Sequence, residues 1–308
     1  MFQNNIRNLI VNLSKKKDIL ELDIVLEGGG FNGSFELGAL HFLKELETQK
    51  YITIDRISGA SIGSLLGLCY FTNNLNFYIN NYQALRDSWK ETINLNLYND
   101  FLKQFVTSLS KKQFNSIKTD KLYITFFDVK NKRQIIQSTY TSKQDLIDAM
   151  CKSSYLPGFT DNKMYLNIDE QFFIDGGQPF IFHDRESHLN KKILYLSINH
   201  LSKIASMITT KQELNAYGRI LEGILDCYEF FLHERPTKMC SFVNQWTSTD
   251  FFKLRMKHLL LLVIVYIINF CYTIHTYLQP YLETNNMYKH FKPIFNNLYK
   301  DIILYFCF

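Results

Sequence analysis

The 308-residue sequence is poor in glycine and proline, and its few cysteines are isolated from one another. It has 13 glycines, where an average composition would supply about 22. With only 5 prolines and a hydrophobic fraction of 46%, it fits neither a collagen-like, a Gly/Pro-rich nor a disordered protein. The 6 cysteines show no C-x-x-C spacing, which argues against a zinc site or a disulfide framework and favours a reducing compartment.

A strong excess of one charge is also missing. The 34 Lys and Arg against 29 Asp and Glu leave +5, too little for a dedicated nucleic-acid binder, although it would favour docking on an anionic membrane. The N-terminus is too polar for a secretory signal peptide, so an intracellular location is expected. Residues 1–21 are predicted to form an amphipathic segment, either a docking helix or a membrane-surface helix, with an apolar face of Phe2, Ile6, Leu9, Ile10 and Leu13.

The scarce glycines are concentrated between Gly28 and Gly67, where strand and helix patterns alternate. Apolar runs predict strands over 22–26 and 52–57, and helical periodicity predicts a helix over 34–47 and another after Gly63. This strand–helix–strand–helix order is typical of an α/β fold with a parallel sheet covered by helices.

The rest of the chain gives a coarser pattern. The predicted elements are helices over about 74–114, a hairpin of 122–129 and 133–140, a helix over 143–151, strands over 172–174 and 193–198, and helices from about 211 onward.

The most hydrophobic segment is 259–278, whose length of about 20 residues would suit a bilayer. Basic residues precede it, at Lys253, Arg255, Lys257 and His258, and would hold that end in the cytosol. Asn269 and His275 argue against a span because polar side chains are costly in lipid. The segment is therefore expected to be a membrane helix, a buried core helix or a lid.

The pentapeptide Gly59-Ala60-Ser61-Ile62-Gly63 matches G-x-S-x-G between a predicted strand and a predicted helix. That context is the one a nucleophile elbow requires, because small flanking residues allow a sharp turn that exposes the Ser61 hydroxyl. The alternative is a glycine-rich strand–helix corner without chemistry.

The loop from Gly28 to Gly33 also joins a strand to a helix and has two functional interpretations. Its backbone N–H groups could hold the negative charge that develops on an attacked ester carbonyl. Its G-x-G-x-x-G spacing could instead bind a dinucleotide. The dinucleotide alternative needs an acidic residue at the end of the second strand, whereas Asp55 lies inside that strand.

A serine nucleophile needs a base, and Asp175 is the carboxylate that stands out. It closes the strand over 172–174 and precedes Gly176 and Gly177. Partial shielding from water would raise its pKa and make it a better base. The histidines lie in no distinctive motif: they are His41, His183, His188, His200, His233, His258, His275 and His290.

Glycine loop, serine elbow and Asp-Gly-Gly, in this order, resemble the patatin-like phospholipase family over about residues 22–200. The block from Ala149 to Phe159 is also similar. The resemblance implies a three-layer α/β/α fold and a lipid acyl hydrolase without cofactor or metal. It implies that Ser61 is the nucleophile, that Asp175 is the base, and that the backbones of Gly29 and Gly30 form the oxyanion hole. The matching motif glycines are Gly28, Gly33, Gly59, Gly63, Gly176 and Gly177.

The family usually has Arg or Lys where this chain has Asn32, so the resemblance supports ester hydrolysis more firmly than recognition of a phosphate headgroup. We expect residues 22–200 to be the catalytic domain and 201–308 a helical C-terminal region. The expected substrate is a membrane glycerolipid or phospholipid, with no nucleic-acid partner. The alternatives are an inactive, membrane-anchored interaction protein of this fold and a dinucleotide-binding protein.

Overall fold

The computed structural model describes residues 2–14, 18–92, 95–161, 163–182, 191–198, 205–207, 209–210, 213 and 215–307. The strands within these ranges are β1 (Leu20–Leu26), β2 (Ile52–Ala60), β3 (Thr119–Asp128), β4 (Arg133–Thr139), β5 (Leu166–Ile168), β6 (Gln171–Asp175), β7 (Lys191–Leu196) and β8 (Cys240–Phe242). They form one sheet in the order β5-β6-β3-β2-β1-β7-β8, with β4 paired to β3.

The helices in the same ranges are α1 (Gln3–Ile10), α2 (Gly33–Thr48), α3 (Ile62–Phe71), α4 (Asn76–Thr92), α5 (Asn96–Ser108), α6 (Lys111–Ile117), α7 (Lys143–Ser153), α8 (Tyr217–His233), α9 (Ser248–Thr284) and α10 (Asn286–Cys307). The neighbours β7, β1, β2 and β3 run parallel. The predicted α/β class, with a mostly parallel central sheet and flanking helices, is confirmed.

The apolar run of β1 is buried on both faces of the sheet. Alternate side chains point to opposite faces of a strand. Leu22, Ile24 and Leu26 accordingly join the large core under the helices, whereas Val25 joins a smaller cluster on the other face. That second face is covered in part by Phe182 and by residues from the start of α9 and the segment before it.

The amphipathic N-terminal segment forms α1, which packs on α2 and α8. Ile6 and Ile10 are buried, and the ring of Phe2 contacts those of His41 and Tyr217. Docking on the protein therefore accounts for the apolar face of this helix. The proposed limits at 21 and 200 stay predictions.

The prediction of uninterrupted helices after about residue 211 is wrong at one place. Residues Cys240–Phe242 form β8, antiparallel to β7 at the sheet edge. Three residues are too short for a periodic signal, and only pairing with β7 makes this segment a strand.

Helix α9 contains the whole 259–278 segment. Its described apolar side chains are largely exposed, among them Leu260, Ile267 and Phe270, so the buried-core alternative is wrong for them. Over the part of the chain that the structure describes, no helix is long and apolar enough to cross a membrane.

Candidate active site

Ser61 lies at the sharp turn between β2 and α3, as the elbow motif predicts. Its backbone adopts φ +54° and ψ −126°, an uncommon conformation for a residue with a side chain. Gly59 is required there, since a Cβ on it would lie 2.5 Å from the backbone of Gly63. The backbones of the two flanking glycines are thus almost in contact, which makes the turn tight.

Two side chains from neighbouring elements hold the elbow in this conformation. The Ser61 backbone N–H donates to the Ser153 hydroxyl oxygen at 2.9 Å, and that hydroxyl donates to the Thr125 carbonyl at 2.7 Å. The Thr125 hydroxyl in turn donates to the Gly59 carbonyl at 3.2 Å. Ser153 was not among the predicted site residues, although it lies in the 149–159 block that resembles the family.

The register of β3 explains why Asp175 lies beside Ser61. β2 pairs Ala60 with Thr125, and β6 pairs Asp175 with the next residue, Phe126. Since β4 occupies the other edge of β3 at both positions, β2 and β6 share one edge. The end of β6 thus meets the end of β2, and the Ser61 side chain lies close enough to the Asp175 carboxylate to lower its pKa.

The surroundings of Asp175 make it more basic than an ordinary aspartate. Burial raises its pKa, while the hydrogen bond from the Gly177 N–H (2.7 Å) and the nearby Ser61 hydroxyl lower it, and the net pKa is about 6. Its own N–H donates to the Tyr155 carbonyl at 2.8 Å. At pH 7 the carboxylate is therefore mostly ionised and able to accept a proton.

The glycine loop lies directly against the nucleophile. A Cβ on Gly28 would be 2.9 Å from the Ser61 Cβ. A 3-10 turn begins at Gly30, whose φ is +53° and whose missing Cβ leaves room for the Met207 carbonyl oxygen. Gly29 and Gly30, the predicted oxyanion donors, thus belong to a loop in contact with Ser61.

A buried carboxylate anchors the start of this loop. Glu27 accepts hydrogen bonds from the Tyr195 hydroxyl (2.7 Å), the Ser197 hydroxyl (3.1 Å) and the Ile198 N–H (2.9 Å). Lys257 of α9 forms an ion pair with it. Glu27 was not among the predicted site residues, although an acidic residue between a buried strand and a glycine loop is visible in the sequence.

An apolar cavity of about 210 Å³ adjoins Ser61 and Gly30. Its wall includes Phe31, Ile62, Trp89, Leu156, Phe159 and Met207. Such a wall suits an acyl chain, because burying apolar surface is favourable by about 25 cal/mol per Å².

Asp55 is in the wrong place for a dinucleotide site. Its carboxylate binds Lys121 and Lys191. It lies four positions before Gly59, which pairs with Leu26 at the end of β1, and therefore about 13 Å from the loop along the strand. This position counts against the dinucleotide alternative.

Of the histidines whose side chains are described, none lines the cavity. His41 packs in α2 against Phe2, while His233 ends α8 and His290 lies in α10. Asp175 is thus the described candidate base that reaches Ser61.

The family model for patatin-like phospholipase matches residues 24–183, more than half of the chain. The chain belongs to the patatin-like phospholipase family. Among curated protein sequences, none matches it. The solved structures similar to it include that of VipD from Legionella pneumophila, at 13% identity and a TM-score of 0.36. That match covers 59% of this chain and 52% of the VipD chain.

The patatin-like phospholipase match contains the glycine loop, Ser61 and Asp175, but ends before β7. Tyr195, Ser197 and Lys257, which bind the Glu27 carboxylate, therefore come from outside it. The C-terminal part of the chain thus contributes contacts to Glu27, at the start of the glycine loop.

Proposed function

We propose that this protein is a phospholipase A-type acyl hydrolase that cleaves glycerolipid acyl esters with a Ser61–Asp175 dyad. The observation that carries the proposal is the strained elbow at Ser61 beside a carboxylate whose pKa is raised to about 6. The family and the apolar cavity beside Ser61 support a lipid substrate.

In the first half of the reaction, Asp175 accepts the proton of the Ser61 hydroxyl while the oxygen attacks the ester carbonyl. The carbonyl oxygen becomes negatively charged, and the N–H groups of Gly29 and Gly30 stabilise it. Each such donor is worth about 10²–10³ in rate. Asp175 then gives the proton to the departing glycerol oxygen, and the acyl group stays on Ser61.

In the second half, water attacks the acyl-enzyme. Asp175 accepts a proton from that water, the tetrahedral intermediate again places its charge on the glycine loop, and the bond to Ser61 breaks. The Ser61 oxygen recovers its proton from Asp175. The products are a free fatty acid and a lysolipid.

We also propose that the protein acts at a membrane surface. Helix α9 exposes Phe252, Leu260 and Phe270, and its Lys253 and Arg255 would complement anionic lipid. Flotation with anionic and neutral vesicles tests this idea. We expect stronger binding to the anionic vesicles than to the neutral ones. If the same amount of protein floats in the absence of vesicles as in their presence, the proposal is refuted.

The decisive experiment compares phospholipid hydrolysis by wild type, Ser61→Ala and Ser116→Ala, with products identified by mass spectrometry. Ser116 is an exposed serine on α6 whose hydroxyl bonds only within its own helix turn in the described contacts, which makes it a matched control. Wild type and Ser116→Ala should release fatty acid, and Ser61→Ala should not.

Labelling with a fluorophosphonate probe separates the enzyme from an inactive relative of the same fold. The probe should modify Ser61 in wild type and leave Ser61→Ala unlabelled. A folded wild-type protein that neither reacts with the probe nor hydrolyses lipid would be an interaction protein. Hydrolysis that survives Ser61→Ala would mean a different nucleophile.

A further inference from the structure

Asn32 links the glycine loop to distant parts of the chain. It is fully buried. Its side-chain amide donates to the Ile198 carbonyl at 3.2 Å, and its oxygen accepts from the Ser206 hydroxyl at 2.8 Å and from Arg219 Nη1 at 3.0 Å. A neutral side chain in the loop is thus in contact with a buried cation supplied by α8.

The Arg219 guanidinium is itself held in a single orientation. It is 5% exposed, and its Nε donates to both oxygens of Glu213 at 2.9 and 3.0 Å. Nη1 also donates to the Ser206 carbonyl and Nη2 to the Thr209 carbonyl, both at 2.7 Å. Because the guanidinium is planar and has so many partners, it fixes both the directions and the lengths of its hydrogen bonds.

The contacts of Arg219 lie on both sides of Met207, the residue against which the glycine loop packs. Gly30 packs against the Met207 carbonyl, and Arg219 binds the carbonyls of Ser206 and Thr209 on either side of Met207. The same guanidinium binds Asn32, two residues after Gly30. One side chain therefore connects the glycine loop to the two described residues that flank Met207.

Helix α8 gives Arg219 a rigid base. A Cβ on Gly223 would lie 1.9 Å from the Phe35 carbonyl oxygen in α2, so the two helix backbones are almost in contact. Since α2 begins directly after the glycine loop, a fixed α8 fixes Arg219 relative to that loop.

We propose that Arg219 is a positioning residue of the active site: through Asn32 and the carbonyls of Ser206 and Thr209 it holds the backbones of Gly29 and Gly30 in the geometry that stabilises the oxyanion. The proposal rests on the proposed function. It also assigns a role at the active site to a residue outside the matched residues 24–183.

The test measures kcat and KM on a soluble short-chain ester for Arg219→Gln, Asn32→Ala and the double variant. Active sites are titrated with a fluorophosphonate, so that kcat refers to folded enzyme. Arg86→Gln is the matched control, because Arg86 binds the same segment at Thr210 (3.0 Å).

A displacement near 1 Å in a catalytic group can reduce rate by about 10²-fold. We therefore expect kcat per titrated site to fall about 10- to 100-fold in Arg219→Gln, with KM changed less than about threefold and Arg86→Gln near wild type. Asn32→Ala should add little to the loss of kcat in the Arg219→Gln background, because both substitutions remove the same Asn32–Arg219 hydrogen bond.

A merely structural role would lower the melting temperature and the titrated fraction but leave kcat per titrated site unchanged. A wild-type kcat in Arg219→Gln overturns the proposal. So does a loss of kcat in Arg86→Gln equal to that in Arg219→Gln, and so do losses of kcat that multiply in the double variant. If Arg219→Gln does not fold, Asn32→Ala alone decides, since it leaves the other Arg219 contacts in place.

Hydrogen exchange separates this proposal from the proposed function. If wild type neither hydrolyses esters nor reacts with the probe, the function fails, and exchange of a peptide covering 28–33 then tests the positioning. We expect exchange about tenfold faster in Arg219→Gln than in Arg86→Gln, and equal rates would overturn the proposal.

Discussion

The Asp175→Asn variant is expected to lose activity while gaining stability at neutral pH. An amide keeps the shape of the carboxylate and can still accept the Gly177 N–H, but it cannot take the proton of Ser61. Removal of a general base reduces rate by about 10²–10⁴-fold. The same substitution removes a charge that the folded protein holds partly away from water.

The size of the stability gain follows from the pKa. Burial and the opposing hydrogen bonds leave the pKa of Asp175 at about 6, against 3.8 for the free side chain. At about 1.4 kcal/mol per tenfold change in proton affinity, ionising Asp175 in the folded state costs at most about 3 kcal/mol. Partial exposure of the residue makes the real value smaller.

The sign of the effect depends on pH. Because the pKa is raised in the folded state, the folded protein binds this proton more tightly than the unfolded chain. Its stability therefore falls as pH rises from about 3.8 to about 6 and is level above that range. The Asp175→Asn variant has no such loss, so its stability relative to wild type should increase over the same pH range.

Urea unfolding of both proteins between pH 4 and pH 8 measures this difference directly, and ester hydrolysis over the same range gives the activity profile. Wild-type kcat/KM should rise with pH and reach half its maximum near pH 6. A stability difference that does not change between pH 4 and pH 7 would refute the assigned pKa. Retained activity in Asp175→Asn would mean that another group is the base.

Three further predictions concern the elbow, the glycine loop and the sheet. Ser153→Ala leaves the Ser61 N–H without its acceptor, so we expect a loss of about 1–3 kcal/mol in unfolding free energy and a lower kcat; unchanged values in both assays would contradict this. Gly30→Ala should lower kcat in a folded protein because φ is +53° and a Cβ would lie 2.5 Å from a carbonyl oxygen, whereas Gly218→Ala, with open space, should match wild type. Burial raises the pKa of Asp55, but hydrogen bonds from two lysines outweigh it and lower it to about 2; Asp55→Asn should therefore be less stable at pH 7, by under about 1 kcal/mol for this half-exposed group, with the difference disappearing as pH falls from 3.8 to 2 in acid titration of unfolding.

The turns that carry Ser61 and Asp175 were predictable because each lies in a short pattern with a local cause. A nucleophile elbow needs small residues within two positions of the serine, and such a pattern is visible in five letters of sequence. Asp175 was visible because a strand end followed by two glycines marks a turn. The proximity of these two residues was not visible in the sequence, since it depends on β2 and β6 sharing one edge of β3.

Arg219 and Ser153 show the opposite case. Neither residue lies in a recognisable motif for its contact, and the Arg219–Asn32 hydrogen bond joins positions 187 residues apart. Buried polar groups need partners, but the sequence does not say which of many donors will be near. That choice follows from helix packing, such as the close contact of α8 with α2.

The sequence by itself determined the α/β class, the glycine loop, the elbow and the Asp-Gly-Gly turn, because backbone sterics and apolar periodicity act over a few neighbouring residues. Only the tertiary structure decided what the apolar face of α1 packs against, that 240–242 is a strand, that Glu27 and Asn32 are anchored from the C-terminal part of the chain, and that the described apolar side chains of α9 are exposed. Those features depend on contacts between distant segments, whose free energy appears only once the chain has folded.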